Sequence, residues 1–181
     1  MDFKFALTRI VERLEKEKIQ YGLIGGIALG FLGVNRATTD TDFLIQNKDA
    51  DIVDKIMYEF GYELTFRSNN YSLFQSPLKP LGKIDFLHPD SPVIQIMLER
   101  KESHAAFQNE LDVFVLKTED IIGLKLQAIK NDPKRNLFDG NDILQLLKIH
   151  NKKIDLTIIN DYAKKLEMTD YFEKLIRESA H

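Results

Sequence analysis

Gly25-Gly26-Ile27-Ala28-Leu29-Gly30-Phe31-Leu32-Gly33-Val34-Asn35-Arg36-Ala37-Thr38-Thr39-Asp40-Thr41-Asp42-Phe43 is the stretch on which the reading of this chain turns. Just before it, Tyr21 to Ile24 is a short apolar run that predicts a strand. Gly25-Gly26 ends that run and Ile27 to Leu32 resumes as helix, giving strand, glycine turn, helix. Asp40 to Ile45 predicts a second strand, and because alternate side chains of a strand share a face, Asp40 and Asp42 point the same way. Two carboxylates so placed repel each other unless a cation sits between them. Hard oxygen ligands with no His or Cys nearby suit Mg2+ or Mn2+, and Mg2+ takes its remaining ligands from water and substrate phosphates. Backbone amides at a helix start attract anions, and Gly25 and Gly26 let a phosphate come close. Metal and nucleotide phosphates are therefore expected to meet here. An EF-hand loop starting at Asp40 fails, because Leu44 falls on its third ligand position and Ile45 on its required glycine. A dinucleotide-binding turn fails too, for want of the G-x-G-x-x-G spacing.

Outward from this stretch, Phe3, Leu7, Ile10, Val11 and Leu14 recur at helical spacing against a charged opposite face, which predicts an amphipathic first helix. Asp49 to Phe60 reads as a helix stopped by Gly61. Tyr62 to Arg67, Tyr71 to Gln75 and Lys83 to Leu87 read as strands, separated by Ser68-Asn69-Asn70 and by a Pro77-Leu78-Lys79-Pro80 turn. A short helix around Ile94 to Leu98 and strands near Ala105 and Val113 come next. From Thr118, read as an N-cap with Glu119 and Asp120 in the first turn, the pattern is helical up to the break at Asn131-Asp132-Pro133. Helices are expected at about 139–150, 156–166 and 170–178, with Asp139-Gly140-Asn141-Asp142 read as a turn and N-cap. The expected fold class is α/β (α+β): a mixed sheet flanked by helices in residues 1–116, and an all-helical C-terminal part in residues 117–181 packed on that core.

Composition bounds the chemistry. The 181 residues carry a formal net charge of −3 and no cysteine, so disulfides, thiolate metal sites and cysteine nucleophiles are excluded. The longest apolar stretch, Leu23 to Val34, is too short for a membrane span and holds four glycines. The charged run from Glu12 to Lys18 is unlike the flank of a signal peptide, so a cytoplasmic protein is expected. Residues 1–116 sum to −4 and 117–153 to +3, so the second segment can face a polyanion although the whole is no dedicated duplex-DNA binder. His88, His104, His150 and His181 have no spacing that suggests a metal site or proton relay and read as structural or surface groups.

The glycine pair, the short helix and the Asp-x-Asp strand resemble the nucleotidyltransferase superfamily with the polymerase-β-like fold. The ending Arg36-Ala37-Thr38-Thr39-Asp40-Thr41-Asp42-Phe43 is most similar to the branch of type IV abortive-infection toxins and small bacterial nucleotidyltransferases. In that family a third carboxylate arrives on a later strand, which places Asp85 of Lys83-Ile84-Asp85-Phe86-Leu87 in the role. Glu119-Asp120-Ile121-Ile122-Gly123-Leu124-Lys125 is similar to the branch's acidic-to-lysine helix, and Arg135, Asp139 and Asp142 to its basic, Asp-containing helix start. Two departures stand out: Phe138 where a basic residue commonly precedes the Asp, and Gly26 where the Gly-Ser branch has a hydroxyl.

The resemblance implies that Asp40, Asp42 and Asp85 bind Mg2+ or Mn2+ and that Asp85 also helps deprotonate an acceptor hydroxyl. It gives Gly25, Gly26, Arg36, Thr38 and Lys125 to the nucleotide. The implied reaction moves an NMP from an NTP to a hydroxyl of RNA, a tRNA end or a protein, releasing pyrophosphate. A partner antitoxin or toxin chain belongs to the same implication. Two alternatives stay open: an antibiotic nucleotidyltransferase of lincosamide or aminoglycoside type, and a catalytically silent nucleotide-binding or antitoxin-like module.

Overall fold

The computed structural model describes residues 3–78, 82–151 and 153–180, without the side chain of Phe3. The expected turn at Pro77-Leu78-Lys79-Pro80 lies partly outside these residues, and His181 wholly so. The chain divides into two compact units, one of Met1–Ala28 with Arg36–Leu116 and one of Leu29–Asn35 with Lys117–His181.

In the first unit, α1 (Phe3–Lys16) buries Leu7, Ile10, Val11 and Leu14 along one stripe, as the spacing predicts. Each such side chain contributes about 1.5–3 kcal/mol of burial. Then come β1 (Tyr21–Ile24), α2 (Gly25–Phe31), β2 (Asp40–Ile45), a 3-10 turn at Asn47–Asp49 and α3 (Ala50–Glu59). The remainder is β3 (Glu63–Arg67), β4 (Tyr71–Gln75), β5 (Lys83–Leu87), α4 (Pro92–Glu99), β6 (Glu102–Ala106) and β7 (Leu111–Val115). The strands form one seven-stranded sheet in the order β3-β4-β5-β2-β1-β7-β6. β2–β5 and β1–β7 pair parallel and the other neighbours antiparallel.

The pleat of the sheet sorts the chemistry. Phe43 and Phe86 are register partners and stack with centroids 5.2 Å apart, and Phe74 meets Phe86 edge-on at 6.0 Å, all on one buried face. Asp40, Asp42 and Asp85 alternate onto the opposite face. The glycine turn expected between β1 and a later helix start is compressed: Gly25 itself takes a left-handed conformation (φ 65°) and opens α2 directly.

The second unit is helical: α5 (Thr118–Asn131), a 3-10 turn at Pro133–Arg135, a π-helical turn at Asn136–Gly140, α6 (Asn141–His150), α7 (Leu156–Lys165) and α8 (Thr169–Ser179). Two expectations are corrected here. Thr118 is the first residue inside α5, with Lys117 at the cap and no side-chain capping bond. Asp139 and Asp142 form no turn or N-cap; both are buried in the helical run through the π turn. The reason is Lys125, whose Nζ donates at 2.7 Å to Asp139 Oδ1 and at 2.7 Å to Asp142 Oδ2, while Arg135 Nε donates to Asp139 Oδ2 at 2.6 Å. Burial alone would raise the Asp139 carboxyl; the Arg135 guanidinium and the Lys125 ammonium carry it below the ordinary carboxylate range. Gly123 lets α7 approach, since a Cβ there would come within 2.6 Å of the Tyr162 ring, and Tyr162 Oη donates to Asp120 Oδ1 at 2.7 Å. Among the described residues no helix is long and apolar enough to cross a membrane.

Candidate active site

β2 and β5 build the site from the sheet outward. Asp42 is the register partner of Asp85, and Asp40 stands two residues earlier on the same side. Neighbouring strands lie about 4.8 Å apart, so the Asp42 and Asp85 side chains stand next to each other, all three aspartates half-buried. The apolar positions Ile84 and Phe86 hold β5 in the core by its other face, which fixes where Asp85 emerges.

Each carboxylate has its own surroundings. Asp40 Oδ1 accepts from Thr39 Oγ1 at 3.1 Å, and Thr38 Oγ1 donates to the Asp40 carbonyl at 3.2 Å. Asp42 lies against Gly25, where any Cβ would fall on Asp42 Oδ2. Gly26 abuts Thr38, with only 2.6 Å between an added Cβ and the threonine Cβ. The two glycines are thus required by the closeness of Asp42 and Thr38, and Gly25 also by its positive φ. Asp85 Oδ2 accepts from Tyr71 Oη at 2.7 Å, whereas Asp85 Oδ1 is buried with no hydrogen-bond partner. Burial raises the Asp85 carboxyl above its ordinary value, and the negative charge of Asp40 adds to the shift against the opposing pull of Tyr71 and Lys83.

Gly25, Gly26, Arg36, Thr38, Asp40, Asp42 and Asp85 all belong to the first unit. Lys125 belongs to the second, where its ammonium is shared by Asp139 and Asp142 and its side chain is buried. Among the described residues, no group of three or more His, Cys, Asp or Glu side chains forms a ready metal-binding set. The donors nonetheless have the chemistry of a hard divalent cation: oxygen only, three carboxylates on one face, and one buried oxygen, Asp85 Oδ1, without a partner. Tyr71 is the site residue that sequence reasoning missed. Its place beside Asp85 depends on the β4–β5 register, which puts Leu73 opposite Asp85 and Tyr71 on the diagonal, and no local motif encodes that register.

By sequence, no family model and no curated protein matches the chain. Its backbone, in contrast, superposes on solved structures. The antibiotic-resistance factor ANT(2'')-Ia matches with a TM-score of 0.65 at 12% identity, over 98% of this chain and 97% of that one. An antigenic nucleotidyltransferase-like protein from Paracoccidioides brasiliensis matches at 0.56 with 16% identity, over 95% and 89%. The lincosamide adenylyltransferase LnuA, solved with lincomycin bound, matches at 0.54 with 15% identity, over 80% and 96%. At such identities it is the path of the chain that is shared. The fold of this protein is that of the polymerase-β-like nucleotidyltransferases.

Proposed function

We propose that the protein is a metal-dependent nucleotidyltransferase that moves an NMP from an NTP to a hydroxyl acceptor with release of pyrophosphate. The observation that carries this reading is the pairing of Asp42 with Asp85 across β2 and β5, with Asp40 on the same face. Asp40, Asp42 and Asp85 would hold Mg2+ or Mn2+, and such an ion would supply charge neutralisation on the triphosphate and its leaving pyrophosphate. Gly25 and Gly26, whose missing side chains let Asp42 and Thr38 come close, would form the phosphate side together with Thr38 and Arg36. Lys125 is assigned to the nucleotide by family resemblance, and the same ammonium neutralises Asp139 and Asp142. Following the family resemblance, Asp85, the register partner of Asp42, would help take the proton of the acceptor hydroxyl. The hydroxyl oxygen bonds to the α-phosphorus as the bond to the bridging oxygen breaks.

Two acceptor classes stand against each other. The similarity of the Arg36-to-Phe43 segment to the toxin branch favours an RNA end or a protein hydroxyl. The shared chain path with ANT(2'')-Ia and LnuA favours an aminoglycoside or lincosamide hydroxyl. Incubating the protein with labelled NTPs, Mg2+ and separate tRNA, protein, aminoglycoside and lincosamide acceptors discriminates between them. We expect label on one class, lost at least a thousandfold in Asp42→Asn and in Asp85→Asn. NTP binding without transfer to any acceptor would identify a silent module instead.

A further inference from the structure

The two oxygens of Asp85 are not equivalent, and the difference is made by a residue of another strand. Tyr71 on β4 reaches diagonally across the ladder and donates its hydroxyl to Oδ2 at 2.7 Å, leaving Oδ1 buried and without a hydrogen-bond partner. The phenol is held from behind, because its ring packs against Phe66 of β3 with centroids 6.1 Å apart, and β3 and β4 are antiparallel partners. The hydrogen bond on one side and the ring contact on the other make Tyr71 a fixed donor in this site. A carboxylate anchored through one oxygen cannot rotate about its terminal bond without breaking that anchor, so the other oxygen is pre-oriented.

Resting on the nucleotidyl-transfer reading above, we infer that Tyr71 is a positioning residue, which ties down Asp85 Oδ2 so that Oδ1 is the oxygen offered to a divalent cation. The backbone scaffold alone does not achieve this. β5 fixes the Asp85 Cα opposite Asp42, but the orientation of the carboxyl plane depends on what its oxygens meet.

The test uses the whole chain and Mn2+ alone, read by the electron paramagnetic resonance signal of the free ion at a temperature far below melting. Tyr71→Phe, which keeps the ring against Phe66, is expected to weaken Mn2+ binding about tenfold through loss of one charge-assisted hydrogen bond, while melting without metal is unchanged. Equal or tighter Mn2+ binding in Tyr71→Phe, with Asp42→Asn still abolishing it, overturns the positioning role and leaves the parent reading intact. Mn2+ binding that survives both Asp42→Asn and Asp85→Asn overturns the parent reading, and this inference with it. A lower melting temperature with an unchanged Mn2+ midpoint counts against the inference, because it marks a purely structural contact. Transfer of label from an NTP onto Tyr71 itself overturns it as well, since the hydroxyl would then be an acceptor.

Discussion

His88 is almost wholly buried, and its ring is held by Ser72 Oγ at 2.8 Å from Nε2. Asn47 Nδ2 donates to the His88 carbonyl at 2.8 Å and approaches Nδ1 at 3.4 Å. Burial, and then the positive charge of Arg67, lower its affinity for protons, with Asp54 acting in the opposite direction. For a base with a depressed folded value, the neutral form carries the stability. That stability is complete above the ordinary imidazole value of about 6.5 and is lost as pH falls through the folded value. We expect the melting temperature to fall as the pH drops below about 6.5, where the unfolded chain begins to take up the proton that the folded ring refuses. His88→Gln should flatten that slope in a calorimetric pH series; an unchanged slope would assign it to other groups. The ring's structural role agrees with the reading of His88 from sequence, where nothing paired it with another ligand. Its specific partners were not legible, because Ser72 reaches it only through the fold of β4 back along β5.

Among the elements, the join between β1 and α2 is held by close approach and by a left-handed backbone at Gly25. Gly25→Ala places a methyl on the Asp42 carboxylate and forces a side chain into the left-handed region, which alone costs about 1–2 kcal/mol. We expect a loss of at least that size in urea denaturation, and loss of Mn2+ binding even where the fold survives. The buried ion cluster between α5, the π turn and α6 responds differently. Lys125→Ala leaves Asp139 and Asp142 buried without their shared ammonium and is expected to cost about 3–5 kcal/mol, read by circular dichroism against urea. The boundaries of β1, β2, β4 and β5 were legible to the residue, because short apolar or alternating runs end there at glycine, turn or charge. The π turn was not. Its form follows from aiming Asp139 and Asp142 together at Lys125, a demand made by a helix 14 and 17 residues earlier in the chain. The motif that placed the three aspartates on one face needed only the period of a strand, whereas the donor that anchors one of them needed a strand register.

At the scale of the whole molecule, the sequence reading divides the chain at residue 116, and the structure makes one compact unit of residues on both sides of that point. Leu29–Asn35 groups with Lys117–His181, and Leu29, Leu32 and Val34 are buried. The His150 ring meets the Leu32 carbonyl at 2.8 Å, and Gly33 lies in ordinary contact with Ile149. A chain ended at Leu116 would keep those apolar residues and lose the helices that cover them within the second unit. We expect it to bind a hydrophobic dye and to aggregate, where the full chain stays monodisperse in light scattering. Periodicity could not have shown this, since Leu29 to Val34 reads as an ordinary apolar stretch whichever unit covers it.

The same seven residues set a timetable. On the ribosome, Leu29 to Asn35 emerges long before Lys117 and the four helices α5 to α8, so every nascent chain passes through a stage in which the sheet strands exist and this apolar tract has no partner helices. Asp40 and Asp42 begin just five and seven residues beyond it. The acidic strand is therefore tethered to a segment whose partner helices begin only at Lys117, far later in the order of synthesis.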